Sequence, residues 1–433
     1  MLKTSRSIAG LFVIVLVLLP LLTACGGGTP PAANEDAPAE DTATEEEAAA
    51  DTEEATDPEE EATADDETAA TKEAAITTYA DIAYASYVDS YQTALELQEA
   101  INAFVAEPTA QTQESAKQAW LAAQEPYGQT EVYRFYGGPI DDEDGPEGLL
   151  NSWPLDEVYV DYVEGETDSG IINNPDEYPE ITQELLVELN QVGSEESVST
   201  GYHAIEFLLW GQDLSTDGSG DRPFTDYIAG DEGTAANQER RADYLVAATD
   251  LLLVHLDEMQ QAWTPDVADN YRSEFLAMEP DTAIQNILTG MGVLSKSELA
   301  GERMFTAYDN QDQEDEHSCF SDNTHRDIIT NAQGIRNVYE GTYAGLTPET
   351  TVEGTGLQAV VAAADADLND QMLTLLEQSL ENANQIYVPF DQAIVLPEER
   401  PVVLDAVTVL QDQGDTIAEI GSALGFSINT ALP

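Results

Sequence analysis

The segment Gly201-Tyr202-His203-Ala204-Ile205-Glu206 sets one of only four histidines three residues before a glutamate. On an α-helix, positions i and i+3 share a face, so imidazole and carboxylate would project together. A buried glutamate is costly unless its charge is compensated, and a divalent metal held jointly with His203 would do so. Phe207-Leu208-Leu209-Trp210 follow, which turns this face inward. The same spacing also serves surface pairs and hydrogen-bonded core couples, and two ligands do not make a site.

A second group lies in Gln311 to Asp327, where His317, Cys319, His325 and Arg326 stand among many acidic side chains. The spacing matches no zinc motif: the second cysteine of a CxxC pair, HExxH and HxxEH are all missing. Two readings stay open. One is a solvated acidic loop leading into a helix capped by Asp322 or Thr324. The other is a functional loop, because histidine beside carboxylates suits metal or acid–base chemistry. Upstream, Glu302 and Arg303 sit on a helix rich in small residues. Glu302 either pairs with an arginine or completes a metal site across the bundle. His255, on the inner face of an amphipathic helix, reads as a core histidine.

The elements that must position these residues are helical almost throughout. Tyr84, Tyr87, Val88, Tyr91, Leu95, Ile101 and Val105 keep a 3–4 residue spacing over a long first helix. Further helices are expected at about 112–135 with a break near Pro126, then at 176–191, 199–210, 245–263, 281–309, 326–339, 357–386 and 402–426. Strand-like alternation is nearly absent. The fold class is therefore all-α: two packed helical-bundle domains, 76–232 and 233–433, of a size that suggests an old duplication. The Gly-, Pro- and acid-rich stretch 137–170 is long for a connection, which points to function.

The N-terminus reads as an export signal over 1–25. Lys3 and Arg6 precede an uncharged apolar run from Ile8 to Leu22, and Leu22-Thr23-Ala24-Cys25 reads as a lipobox that leaves Cys25 lipidated. Residues 26–75 form a disordered acidic linker with eighteen acidic residues against Lys72. The expected location is the cell envelope, on a periplasmic or other extracytoplasmic membrane face. With Cys25 lipidated, only Cys319 remains, so no intramolecular disulfide is expected. The net charge of −71 argues against nucleic acid or anionic lipid as partners, since both need a basic surface. It suits cation attraction, and equally solubility in salt.

The chain resembles the imelysin family, most closely the branch called iron-regulated protein A, over about residues 80–430. The residues that carry this are the GxHxxE stretch Gly201–Glu206, Pro126-Tyr127-Gly128-Gln129-Thr130-Glu131, Gly145-Pro146-Glu147-Gly148, Trp153-Pro154-Leu155-Asp156, Gly211-Gln212-Asp213, Arg222-Pro223 and the 315–327 loop. The resemblance implies two helical halves with the site near the cleft between them. It also implies a role in iron acquisition, with metal held by His203 and Glu206. Glu302 matches a later glutamate ligand of some relatives, and Asp213 or Asp221 a later aspartate; His317 and His325 are further candidates. The expected ligand is a divalent metal, iron first, with zinc or copper as alternatives, and an iron-uptake protein is the expected partner. Two other readings stand beside this one: a zinc metallopeptidase on the same motif, and an interaction module without metal. Hydrolysis needs about three protein ligands and a base, and no base is identifiable from spacing.

Overall fold

A 49-residue helix, Pro58–Ala106, opens the computed structural model, which describes residues 58–432. The export signal, Cys25 and most of the expected linker lie outside the described residues. The helix begins earlier than the expected linker boundary at 75: Ala75 and Ile76 are already buried, and Lys72 pairs with Asp281 at 2.6 Å. Alanine and glutamate are good helix formers, so an acidic Ala-rich segment can extend a helix that packing has nucleated downstream. Tyr79, Ala83, Tyr87, Ala94, Leu97, Ile101 and Phe104 form its buried stripe.

The chain turns at Pro108 into Ala110–Tyr127, whose start Thr109 caps by accepting from the Thr112 amide. Pro126 lies in the last turn, and the chain tightens there into a 3₁₀ segment, Gly128–Tyr133. The break expected near Pro126 is thus present. Helix Thr324–Glu340 crosses that segment so closely that a Cβ on Gly128 would stand 2.1 Å from the Thr330 hydroxyl. Asn331 and Asn337 bond across to Gly128 and Gln129.

The remaining long helices are Gln238–Trp263, Pro280–Val293, Ala366–Ala383 and Arg400–Ala423. Pro280–Val293 continues through a wide-turned π-helical stretch, Leu294–Phe305, into Thr306–Asn310. The only ladder among the described residues pairs Thr342–Tyr343 with Val352–Glu353. All-α is therefore correct. The first helix contacts the far half repeatedly: Tyr79 meets Trp263 and Phe275, Gln98 donates to Asp250, and Tyr343 donates to Asp89. Contacts gather the described residues into one compact unit, and a duplication is not confirmed. Among the described residues no helix is long and apolar enough to cross a membrane.

Candidate functional site

The GxHxxE residues form helix Gly201–Trp210, and all ten are buried. Gly201 starts it at φ +80, and a Cβ there would lie 2.5 Å from the Leu150 carbonyl oxygen. Only glycine meets both demands. Trp120 fastens the first turn by donating from Nε1 to the Tyr202 carbonyl at 2.9 Å. At the other end, the Arg222 amide bonds the Trp210 carbonyl at 2.7 Å, which folds the 211–223 loop back over the helix.

His203 and Glu206 meet as the spacing requires, Nδ1 to Oε2 at 2.9 Å. The other oxygen of Glu206 accepts from both the amide and the hydroxyl of Ser321, at 2.9 and 2.6 Å. Burial raises the Glu206 pKa, with His203 and Ser321 opposing. Ser321 belongs to the 311–327 segment, so the two sequence constellations are one site.

The same arrangement is repeated on that segment. His317 Nδ1 lies 2.9 Å from Asp327 Oδ2, and this carboxylate also accepts from the Ser318 hydroxyl at 2.6 Å and from Asn323 Nδ2 at 3.2 Å. The two imidazoles face each other edge to face, centroids 4.6 Å apart at 87°. His203 is 1% exposed and His317 3%, and neither Nε2 has a hydrogen-bond partner. A carboxylate that accepts at Nδ1 places the ring proton on that nitrogen and leaves the Nε2 lone pair free. Burial and the neighbouring Arg303 guanidinium push the His317 pKa well below its usual value, so this ring is neutral.

Behind the rings stands a charged network. Glu131 Oε2 binds Arg303 at 2.6 Å and Arg134 at 2.7 Å, and Arg303 also reaches Asn331 and Glu298. Burial alone would raise the Glu131 pKa; Arg303 and Arg134 outweigh it and bring the value to about 2. Trp153, from the 137–170 stretch, stacks at a tilt 5.7 Å from His317 and donates to the Glu316 carbonyl at 2.8 Å.

The other expected site residues are dispersed. Glu302 is exposed, while its neighbour Arg303 points inward, so the structure does not bring Glu302 to this centre. His325 bonds its own Asp322 carbonyl at 3.1 Å. Asp213 is buried on the 211–223 loop, accepts from the Ser215 amide at 2.9 Å, and is tied to the second segment by Gln313. His255 is half-buried and pairs with Glu258 at 2.9 Å rather than sitting in the core. Asp327, Ser321, Glu131 and Trp153 were quoted in motifs but not singled out; Ser321 and Trp153 lie on irregular backbone, Glu131 on the 3₁₀ segment, and Asp327 in the first turn of a helix that no local spacing relates to His317. Among the described residues no three His, Cys, Asp or Glu side chains are arranged to hold a metal together.

These features place the chain among known proteins. The imelysin family model matches residues 83–417. The chain belongs to the imelysin family. It is 26% identical over 345 residues to iron-regulated protein A of Synechococcus elongatus, covering 78% of this chain and 82% of that protein. Its fold is shared with a crystal structure assigned as an iron-regulated protein A precursor from Parabacteroides distasonis, at TM-score 0.65 and 19% identity, covering 82% and 95% of the two chains. An imelysin-like protein from Psychrobacter arcticum aligns at TM-score 0.57 and 13% identity, over 83% of this chain and 98% of that one.

Proposed function

We propose that this imelysin binds a transition-metal ion in iron uptake or homeostasis, with Nε2 of His203 and of His317 as its protein nitrogen donors. The observation that carries this is the pair of buried, unpartnered Nε2 atoms on facing rings. Each ring is held at Nδ1 by a buried carboxylate, as metal-bound histidines usually are. An orphaned buried nitrogen is a cost that a bound ion would relieve. In this reading Glu206 and Asp327 orient the rings and do not ligate, which revises the expectation that His203 and Glu206 form the ligand pair.

Imidazole nitrogens suit iron(II), zinc and copper alike, and a bound ion would supply Lewis acidity or redox capacity at the rings. The iron assignment comes from the name of the Synechococcus relative. Arg303 and Arg134 keep the Glu131 carboxylate ionised and aligned behind His317, so the charge there is balanced without drawing on the rings. Both rings are buried, which favours a single ion over a peptide as the ligand.

The test loads chelator-stripped protein with iron(II) or zinc(II) under anaerobic conditions and measures bound metal. About one equivalent is expected in the parent, and a His203→Ala, His317→Ala double variant loses it. Unchanged metal content in that variant would sink the reading.

A further inference from the structure

Glu316 and His317 are neighbours in sequence but serve different surroundings. His317 meets His203, whereas the charges that act most strongly on the Glu316 side chain are those of Asp391, Asp322 and Asp213. Glu316 is 1% exposed, and neither carboxylate oxygen has a hydrogen-bond partner. The Thr324 hydroxyl is near enough to favour its ionised form slightly, but makes no hydrogen bond of normal geometry to it. A fully buried carboxylate with both oxygens unsatisfied is costly and needs a counter-ligand.

Three segments are pinned together around it. Gln313 Nε2 donates to the Asp213 carbonyl at 2.9 Å, and the Gly220 amide to the Phe320 carbonyl at 2.9 Å. Gln392, next to Asp391, bonds the Thr216 carbonyl. Asp213 and Asp391 are buried but shallow, Asp322 is half-buried, and Glu316 lies deepest. Among the described residues none of the four forms an ion pair with lysine or arginine, and the charges that act on them most strongly are other carboxylates. Burial and mutual repulsion raise the pKa of each.

We propose that Glu316, with Asp322, Asp213 and Asp391, forms a second cation site, lined by oxygen alone, that takes a hydrated divalent ion of the calcium type. Hard cations prefer carboxylate, carbonyl and water oxygens, and keep part of their water shell where few ligands reach them directly. The four carboxylates are not arranged for joint direct ligation, so the ion proposed here would reach most of them through its water shell. The site is distinct in chemistry from the histidine pair: oxygen on one side of the 316–317 peptide, nitrogen on the other. It uses none of the groups that hold the imidazoles, so it stands whether or not a metal binds there.

The probe is terbium(III), a luminescent stand-in for calcium, titrated into chelator-stripped full-length protein and excited through tryptophan; Trp153 lies against this loop. One saturable class of emission, displaced by calcium chloride, is expected. Its affinity falls at least tenfold in Glu316→Gln and in Asp322→Asn, and is unchanged in His203→Ala. Glu316→Gln also melts higher than the parent in chelator, since an uncompensated buried charge is gone, and calcium no longer raises its Tm. Parent-like affinity in both carboxylate variants would assign the binding to surface acids and overturn the proposal. Absence of saturable, calcium-displaced emission in the parent would do the same, leaving protons as the only occupants. The Asp322→Asn variant, at a shallower position, keeps the test decisive if Glu316→Gln does not fold.

Discussion

Glu206 uses both of its oxygens inside the protein, one on His203 and one on Ser321. A glutamine there keeps the shape but removes the acceptor charge that fixes the His203 tautomer. Glu206→Gln is therefore expected to weaken metal binding by about 10–100-fold while leaving the stoichiometry at saturation unchanged. Loss of stoichiometry would instead make Glu206 a direct ligand. The His203–Glu206 contact was legible from a three-residue spacing, because a helix turns spacing into direction. Asp327 and Glu316 were not, although both stood in the quoted run. Glu316 and His317 lie on irregular backbone, which has no period from which a facing can be read, and His317 reaches Asp327, in the first turn of Thr324–Glu340, across ten residues.

Helix Gly201–Trp210 and the wide-turned stretch Leu294–Phe305 set the site from opposite sides. At Gly201 a side chain meets both an unfavourable φ and the Leu150 carbonyl. Gly201→Ala is expected to cost at least about 1–3 kcal/mol, read as a lower urea midpoint at unchanged m-value. The other element explains Glu302. An α-helical register counts 3.6 residues per turn, but i→i+5 hydrogen bonding takes in more residues per turn and shifts each later side chain around the axis. Arg303 then points to Glu131, and Glu302 to solvent. The sequence held no mark of that widening. The break at Pro126 and the caps were legible because proline and threonine act locally.

At the scale of the molecule, two sets of carboxylates pull stability in opposite directions with pH. Glu131, held at about 2 against an ordinary 4.5, contributes stability that is full above about pH 4.5 and fades as pH falls towards 2. Burial and neighbouring acids raise Asp213 to about 6, and Asp322 and Glu157 to about 7. The folded state holds protons there that the unfolded chain releases, so stability falls as pH rises from about 4 through 7. A Tm maximum is expected near pH 4, and the decline towards pH 8 shrinks in an Asp322→Asn, Glu157→Gln variant. A flat Tm between pH 5 and 8 would contradict this. The lipobox read at Leu22–Cys25 predicts attachment to a membrane through a lipid on Cys25; labelled palmitate should be incorporated by the parent in a bacterial host and lost in Cys25→Ser. The helical class was plain from periodicity, while the union of the two halves was not, because contacts such as Tyr79 with Trp263 join positions that no local pattern relates.

That union governs the order in which the chain can assemble. A ribosome delivers Pro58–Ala106 first, yet Trp263, Phe275 and Asp281, which close around its N-terminal half, follow much later. Until they arrive the Tyr79 face is covered only in part, by Tyr133 and Tyr136, so the expected domain 76–232, made alone, should lack a cooperative melting transition. A nascent chain so built closes its core only once its second half has emerged.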